Sequence, residues 1–298
     1  MAAQARALTP AGRYNKAEPD ATTVPEELPV LSETAAPDFP ATAARQYGDV
    51  AAIYDTLMAV VPHAAWLSRI EEIAHERGKT GLRRALDVAC GTGLVSELLA
   101  QRGYAPVVGV DLSPAMVAVA RTKALAHGHA PPALRYECQN AADLDLPGQR
   151  FDLAVSLFDS LNYITDPEML RRAFGRVHAH MAPGGLFAFD LNALYALAHG
   201  FFTQTGTDGP VHHVWKAYWD QATRICRVEM NFWVKEENAE GGGRFFTETH
   251  VQRAYTIPEI TDWLTDAGFV DIAVWGNYTR RAPGPKSDRL LFVAERPA

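Results

Sequence analysis

Between residues 84 and 192 the chain alternates short apolar runs with helix-like stretches, and this rhythm constrains the fold more than any other feature. "RALDVA", "VVGVDL", "LRYECQ", "FDLAVSLF" and "GGLFAFDLN" read as strands. Between them lie helical segments such as "LVSELLAQRG", closed by Gly103, and one opened by Ser113 and Pro114, an N-cap residue followed by an N1 proline. Strands apolar on both faces belong in a parallel sheet covered by helices on either side. The expected fold class is therefore α/β, a doubly wound, mostly parallel sheet.

The rhythm breaks after Asn192. Residues 195–255 are rich in aromatics and strand-like, in "VHHVWKAYWD", "RICRVEMNFWVKE" and "RFFTETHVQRAYT", with "ENAEGGGR" as a hairpin connection. They read as an antiparallel β insertion of three or four strands after the fifth strand. A helix returns at "IPEITDWLTDAGF", and "FVDIAVWGNY" and "DRLLFVAERP" read as two final strands. Ahead of the sheet, "ATAARQYGDVAAIYDTLMAVV" reads as one helix or two short ones, and "AAWLSRIEEIAHERG" as another that stops at Gly78. Residues 1–40, rich in Ala, Pro, Thr and Glu without hydrophobic periodicity, read as a disordered or loosely attached arm. The expected organisation is that arm followed by one domain over 41–298, with 195–255 inserted on its substrate side.

The first strand runs into a glycine loop, Asp87-x-x-x-Gly91-x-Gly93, and then into a helix. Such a turn gathers backbone N–H groups and a helix N-terminus at one point, and glycine lets a ligand approach closely. A dinucleotide fingerprint demands a third glycine at 96, where this chain has Ser96, so NAD and FAD are disfavoured. Asp111 ends the second strand, about 20 residues beyond the glycines, where an acid accepts hydrogen bonds from ribose hydroxyls.

Together "LDVACGTG", "VVGVDLSPAMVAVAR", "FDLAVSLFDSLNYI" and "LFAFDLN" resemble the successive motifs of class I S-adenosylmethionine-dependent methyltransferases. The resemblance covers roughly residues 45–192 and 250–296. "YDTLM", "FDSLNY" and "ETHVQRAYTIPEI" are similar to a bacterial subgroup acting on small molecules. The family often has a glycine where this chain has Ala89. The resemblance implies a seven-stranded sheet with an antiparallel final hairpin and S-adenosylmethionine as cofactor. It implies that Asp87, Ala89, Gly91 and Gly93 form the methionine end of the cofactor site, that Asp111 holds the ribose, and that Leu112 and Met116 pack near the adenine. It places Asn140 and Ala141 at the adenine edge, Leu157 and Phe158 beside the sulfonium, and Tyr47 and Tyr54 over the pocket.

The formal net charge of −7 weighs against a nucleic-acid partner, which favours a basic face. The three cysteines, Cys90, Cys138 and Cys226, form no CxxC pair, and no metal-ligand spacing is present, so no metal and a cytoplasmic setting are expected. No run approaches the roughly 18 apolar residues of a membrane helix. The expected acceptor is a small molecule methylated on nitrogen or, second, on oxygen. "FDSLNY" offers Asp159 and Tyr163, and the insertion offers His250, whose neighbour Glu248 shares its strand face and stands where a carboxylate orients an imidazole. His212 and His213, adjacent in a strand, face opposite ways and cannot serve one site together. A catalytic base is expected at His250 or Asp159. Two rivals remain at this level: a non-catalytic S-adenosylmethionine sensor or scaffold, and a NAD-dependent oxidoreductase.

Overall fold

The computed structural model describes residues 47–235 and 243–298. The 1–40 arm and most of the "ENAEGGGR" loop lie outside the described residues.

The strand–helix alternation forms β1 (Ala85–Val88), α3 (Leu94–Gln101), β2 (Val107–Asp111), α4 (Pro114–Ala126), β3 (Leu134–Cys138), β4 (Phe151–Ser156), α5 (Pro167–His180) and β5 (Met181–Asn192). They follow a short turn at Val50–Ala52, α1 (Tyr54–Met58) and α2 (His63–Glu76). Behind them come α6 (Leu194–Ala198), β6 (Gln204–Asp208), β7 (Val211–Asp220), β8 (Ile225–Lys235), β9 (Gly243–Arg253), α7 (Ile257–Asp266), β10 (Val270–Gly276) and β11 (Arg289–Glu295).

Seven strands make one sheet in the order β10-β11-β5-β4-β1-β2-β3. The first five strands in sequence pair in parallel, whereas β11 runs antiparallel to both β5 and β10. The fold is thus the doubly wound α/β sheet that the strand rhythm predicts, closed by an antiparallel hairpin. The chain order reverses between β1 and β4, and such a switch point opens a crevice at the carboxyl ends of the strands. The other four strands form a separate antiparallel sheet, β6-β7-β8-β9.

Period-two alternation divides the core. Leu86 and Val88 face a cluster with Phe174, Phe187, Phe189, Phe292 and Ile260. Ala85 faces the other cluster, with Leu67, Ile70, Leu99, Val117 and Leu153. Each fully buried large side chain contributes about 1.5–3 kcal/mol. A third cluster joins the small sheet to the N-terminal turn through Val50, Ile53, Leu57, Cys226, Val228 and Phe232. That cluster holds the N-terminal segment over the crevice.

The helix starts match their signals. Ser113 accepts from the Met116 N–H, Asp166 caps α5, and Thr256 with Glu259 forms a reciprocal capping box. Of the two forms expected for residues 41–61, one helix or two short ones, the described residues show two short pieces. The chain turns at Tyr47, with φ of 65°, and makes only the short turn and α1.

Candidate active site

A pocket opens at the switch point, with about 1050 Å³ of space including its mouth. Its wall gathers Tyr47, Tyr54, Asp87, Ala89, Gly91, Asp111, Leu112, Met116, Asn140, Ala141, Leu157, Phe158 and Tyr163. These come from the N-terminal turn, the ends of four strands and the residues just beyond them.

The backbone is strained around this space. Ala89, Phe158 and Tyr47 have φ of 55°, 64° and 65°, a region non-glycine residues rarely adopt. Strain of this kind persists where the surrounding structure enforces it, and it concentrates at functional sites. Gly91 also has positive φ, and a Cβ there meets nothing nearer than the Tyr54 ring at 3.8 Å. Its backbone is open to a ligand.

Gly93 does not line the pocket. Its φ is 82°, and an added Cβ comes within 2.7 Å of Tyr136 Cζ. Gly109 on β2 is similarly tight, with a Cβ position 2.6 Å from Tyr136 Cδ1. Both glycines make room for the Tyr136 ring beneath the loop. The sequence reading assigned Gly93 to the cofactor; its glycine identity is instead demanded by helix entry and by Tyr136.

The two acids of the loop are built differently. Asp87 is 2% exposed, and burial raises its carboxyl to about 7, although Ser96 Oγ donates to it at 2.6 Å. Ser96, in the place of a third fingerprint glycine, thus serves the acid. The Asp111 carboxylate accepts from the Gly91 and Ser113 N–H groups, both at 2.8 Å. Burial raises its pKa and these bonds partly offset the rise. Each oxygen keeps a lone pair for a further donor. Asn140 uses Oδ1 to accept from the Ala142 N–H at 2.9 Å.

This donor set fits a sulfonium nucleoside. Asp87 suits an α-ammonium group, Asp111 the ribose hydroxyls, and the Leu112, Met116 and Ala141 side chains a flat base. Bound there, the cofactor would supply an electrophilic methyl group.

Two of the three proposed catalytic residues are absent from the pocket wall. Asp159, 4% exposed, pairs with Arg289 at 2.9 Å and accepts from Gln252 at 2.8 Å. Burial raises its carboxyl to about 6, against the pull of Arg289. Asp190 is also bound to Arg289 and accepts from Tyr278. His250, 2% exposed, stands behind Tyr163 and contacts its hydroxyl through Nδ1 at 3.2 Å. Tyr163 alone of the three reaches the pocket. The expectation of a base directly facing the acceptor at His250 or Asp159 is corrected accordingly: packing has buried both behind other side chains.

His63 is a pocket residue the sequence reading missed. Burial lowers its pKa to about 4, so the imidazole is neutral at physiological pH. It packs edge-on to Trp66 and Phe158. Its only sequence signal is its place at the start of α2, after Pro62. Gln139, Ser160 and Ile164 also line the pocket, with no motif to reveal them. Among the described residues no group of His, Cys, Asp or Glu is placed to hold a metal, and no helix is long and apolar enough to cross a membrane.

A seven-stranded switch-point fold with an acid-bearing glycine loop and a second acid, Asp111, at the end of β2 is the arrangement of class I methyltransferases. Comparison with known proteins agrees. A family model described as a methyltransferase domain matches residues 85–185. A putative methyltransferase of Geobacillus sp. (strain WCH70) is 32% identical over 252 residues, 84% of this chain and 99% of the relative. A crystallised S-adenosylmethionine-dependent methyltransferase from Clostridium acetobutylicum ATCC 824 is 27% identical, with a TM-score of 0.73 over 85% of this chain and 99% of that one. An S-adenosylmethionine-bound amino pentose methyltransferase from Micromonospora echinaspora shares the fold at 24% identity and a TM-score of 0.60, over 89% and 100% of the two chains. The chain belongs to the S-adenosylmethionine-dependent methyltransferase family. It is an enzyme that uses S-adenosylmethionine, and this membership sets aside the sensor and NAD readings.

Proposed function

We propose that the enzyme methylates a nitrogen of a small molecule. The observation that carries this reading is the chemistry of the wall beside Phe158. Its polar groups are the phenols of Tyr47, Tyr54 and Tyr163, the neutral imidazole of His63 and the Ser160 hydroxyl, which donates to the Leu157 carbonyl at 3.1 Å. Burial raises all three phenol pKa values, so they stay protonated. No ionised carboxylate faces that side, since Asp159 is held by Arg289.

An amine with a free lone pair needs orientation and exclusion of water, not a strong base. A hydroxyl acceptor needs its proton taken as the new bond forms. The wall described above orients an acceptor and presents no ionised base of its own, which favours nitrogen. Aromatic rings also suit the cationic methyl donor and a methylated ammonium product. The net charge of −7 disfavours nucleic acid as acceptor. A solved structure that shares this fold is described as an amino pentose methyltransferase, whose acceptor is a small amine-bearing molecule. The small sheet, through its cluster with the N-terminal turn, is the element that would shape the acceptor side.

The test is incubation with methyl-labelled S-adenosylmethionine and matched panels of amines, amino sugars, alcohols and phenols, read by mass spectrometry. Transfer to amines with no transfer to the matched hydroxyl compounds supports the reading. Transfer confined to hydroxyl compounds, or to a nucleic acid, refutes it.

A further inference from the structure

A chain of side chains leads from the pocket wall into the small sheet. Glu248 and His250 lie two apart on β9 and so share a face. Glu248 Oε2 is 2.8 Å from His250 Nε2, and His250 Nδ1 is 3.2 Å from the Tyr163 hydroxyl. Tyr163 lines the pocket, whereas neither His250 nor Glu248 does. The same carboxylate accepts from the backbone N–H of Tyr47 and of Val50, both at 2.9 Å. The Tyr47 ring covers the imidazole at 4.4 Å between centroids and Tyr163 at 5.4 Å.

The direction of each bond follows from what each atom can do. Burial opposes ionisation of Glu248, yet hydrogen bonds from His250, Val50 and Tyr47 hold its pKa below the ordinary value. An ionised carboxylate only accepts, so His250 Nε2 carries a hydrogen. In the neutral imidazole Nδ1 is then the acceptor, and the Tyr163 O–H donates to it. With its one hydrogen committed, the Tyr163 oxygen has only lone pairs left, which the Tyr47 and Gln252 side chains also approach and which an acceptor in the pocket shares with them. It becomes a fixed acceptor of hydrogen bonds.

We propose that Tyr163 accepts a hydrogen bond from the N–H of the methyl acceptor and takes its proton, with His250 and Glu248 as positioning residues behind it. The proposal rests on the amine methyltransferase reading. After methyl transfer the amine nitrogen carries one proton too many. That N–H bond breaks toward the Tyr163 oxygen as the phenolic O–H bond breaks toward His250 Nδ1. The tyrosine ends as it began, the amine is neutral, and the imidazolium lies against Glu248 until it releases its proton. No separate base facing the pocket is then required, and the hydrogen bond beforehand turns the amine lone pair to the methyl group. The logic is that of a carboxylate-oriented histidine behind a hydroxyl. The same carboxylate also ties down the N-terminal turn.

The test uses two ligands that need no knowledge of the acceptor. S-adenosylhomocysteine lacks the methyl group. Sinefungin carries an amino group on the carbon that replaces the sulfonium, and this ammonium can donate to Tyr163. Both are titrated calorimetrically into the full chain and into Tyr163→Phe, His250→Gln and His250→Leu. A hydrogen bond from a charged donor predicts that Tyr163→Phe lowers the sinefungin-to-S-adenosylhomocysteine affinity ratio about tenfold or more. His250→Leu should lower the ratio similarly, because the phenol is then free to rotate. His250→Gln, whose side-chain oxygen still accepts from Tyr163, should restore most of it. Nitrogen-15 spectra of histidine-labelled protein should show His250 protonated at Nε2 and bare at Nδ1. An unchanged ratio in Tyr163→Phe, or a proton on Nδ1 of the neutral ring, overturns the relay. If the unaltered chain binds neither ligand, the cofactor-site reading itself fails, a distinguishable result.

Discussion

Asp87 makes the affinity for the cofactor depend on pH in a calculable way. Its side chain is buried, and burial raises its pKa to about 7 in the free protein. The pairing with an α-ammonium group requires the ionised form. The sign follows directly: a pKa raised by burial means protonation is favoured as pH falls through about 7, and the binding-competent form is lost. With that pKa the ionised fraction drops from about nine-tenths at pH 8 to about one-tenth at pH 6, so affinity for S-adenosylhomocysteine should fall about tenfold. Calorimetry at pH 6 in buffers of different ionisation heat should find close to one proton released per ligand bound. Asp87→Asn should bind weakly and show a flat profile. The same substitution should stabilise the ligand-free protein at pH 8 by up to about 4 kcal/mol, the cost of ionising a carboxyl whose pKa rises from 3.8 to about 7. That gain should vanish as pH falls below 4. Wild-type affinity that is flat or rises from pH 8 to pH 6 would refute the assignment of Asp87 to the ammonium.

Two further predictions concern the scaffold of the site. Gly93→Ala adds a Cβ at φ of 82° and drives it to 2.7 Å from Tyr136 Cζ, so it should cost about 2–4 kcal/mol, read as a lower urea midpoint at unchanged m-value. A midpoint within error of wild type would remove the Tyr136 explanation for that glycine. Arg289→Leu leaves Asp190 and Asp159 buried without their cation and should cost about 3–5 kcal/mol at pH 8. Burial raises the Asp159 pKa to about 6 even beside Arg289, so without that cation its protonation begins higher still, and the loss should shrink as pH falls toward 5. A pH-independent loss would contradict this account.

The sheet was legible because its central strands are apolar on both faces and bounded by caps and glycines. The loop side of the pocket was legible because one continuous motif, residues 87–91, and one acid, Asp111, form much of its wall. The role of Gly93 was not, because the Tyr136 ring that requires it comes from another strand, β3, and contact across a sheet leaves no mark on local sequence. Period-two alternation put Glu248 beside His250, but Tyr163, which stands between His250 and the pocket, is 87 residues away along the chain. Asp159 reads as a candidate base until Arg289 is seen beside it, 130 residues later. His63 had no signal beyond a helix start, since its chemistry comes from burial, a property of the folded chain. The parts written in local spacing could be read, and the parts made by tertiary contact could not.

The central claim is that the pocket at the β1–β4 switch point holds S-adenosylmethionine through Asp111. Calorimetric titration of the full chain with S-adenosylmethionine, S-adenosylhomocysteine and NAD, repeated with Asp111→Ala, tests it most directly. The account predicts binding of both sulfur nucleosides, none of NAD, and a loss of at least about tenfold in the variant, the worth of a charge-assisted ribose hydrogen bond. Binding of NAD alone, or undiminished nucleoside binding in Asp111→Ala, would contradict it.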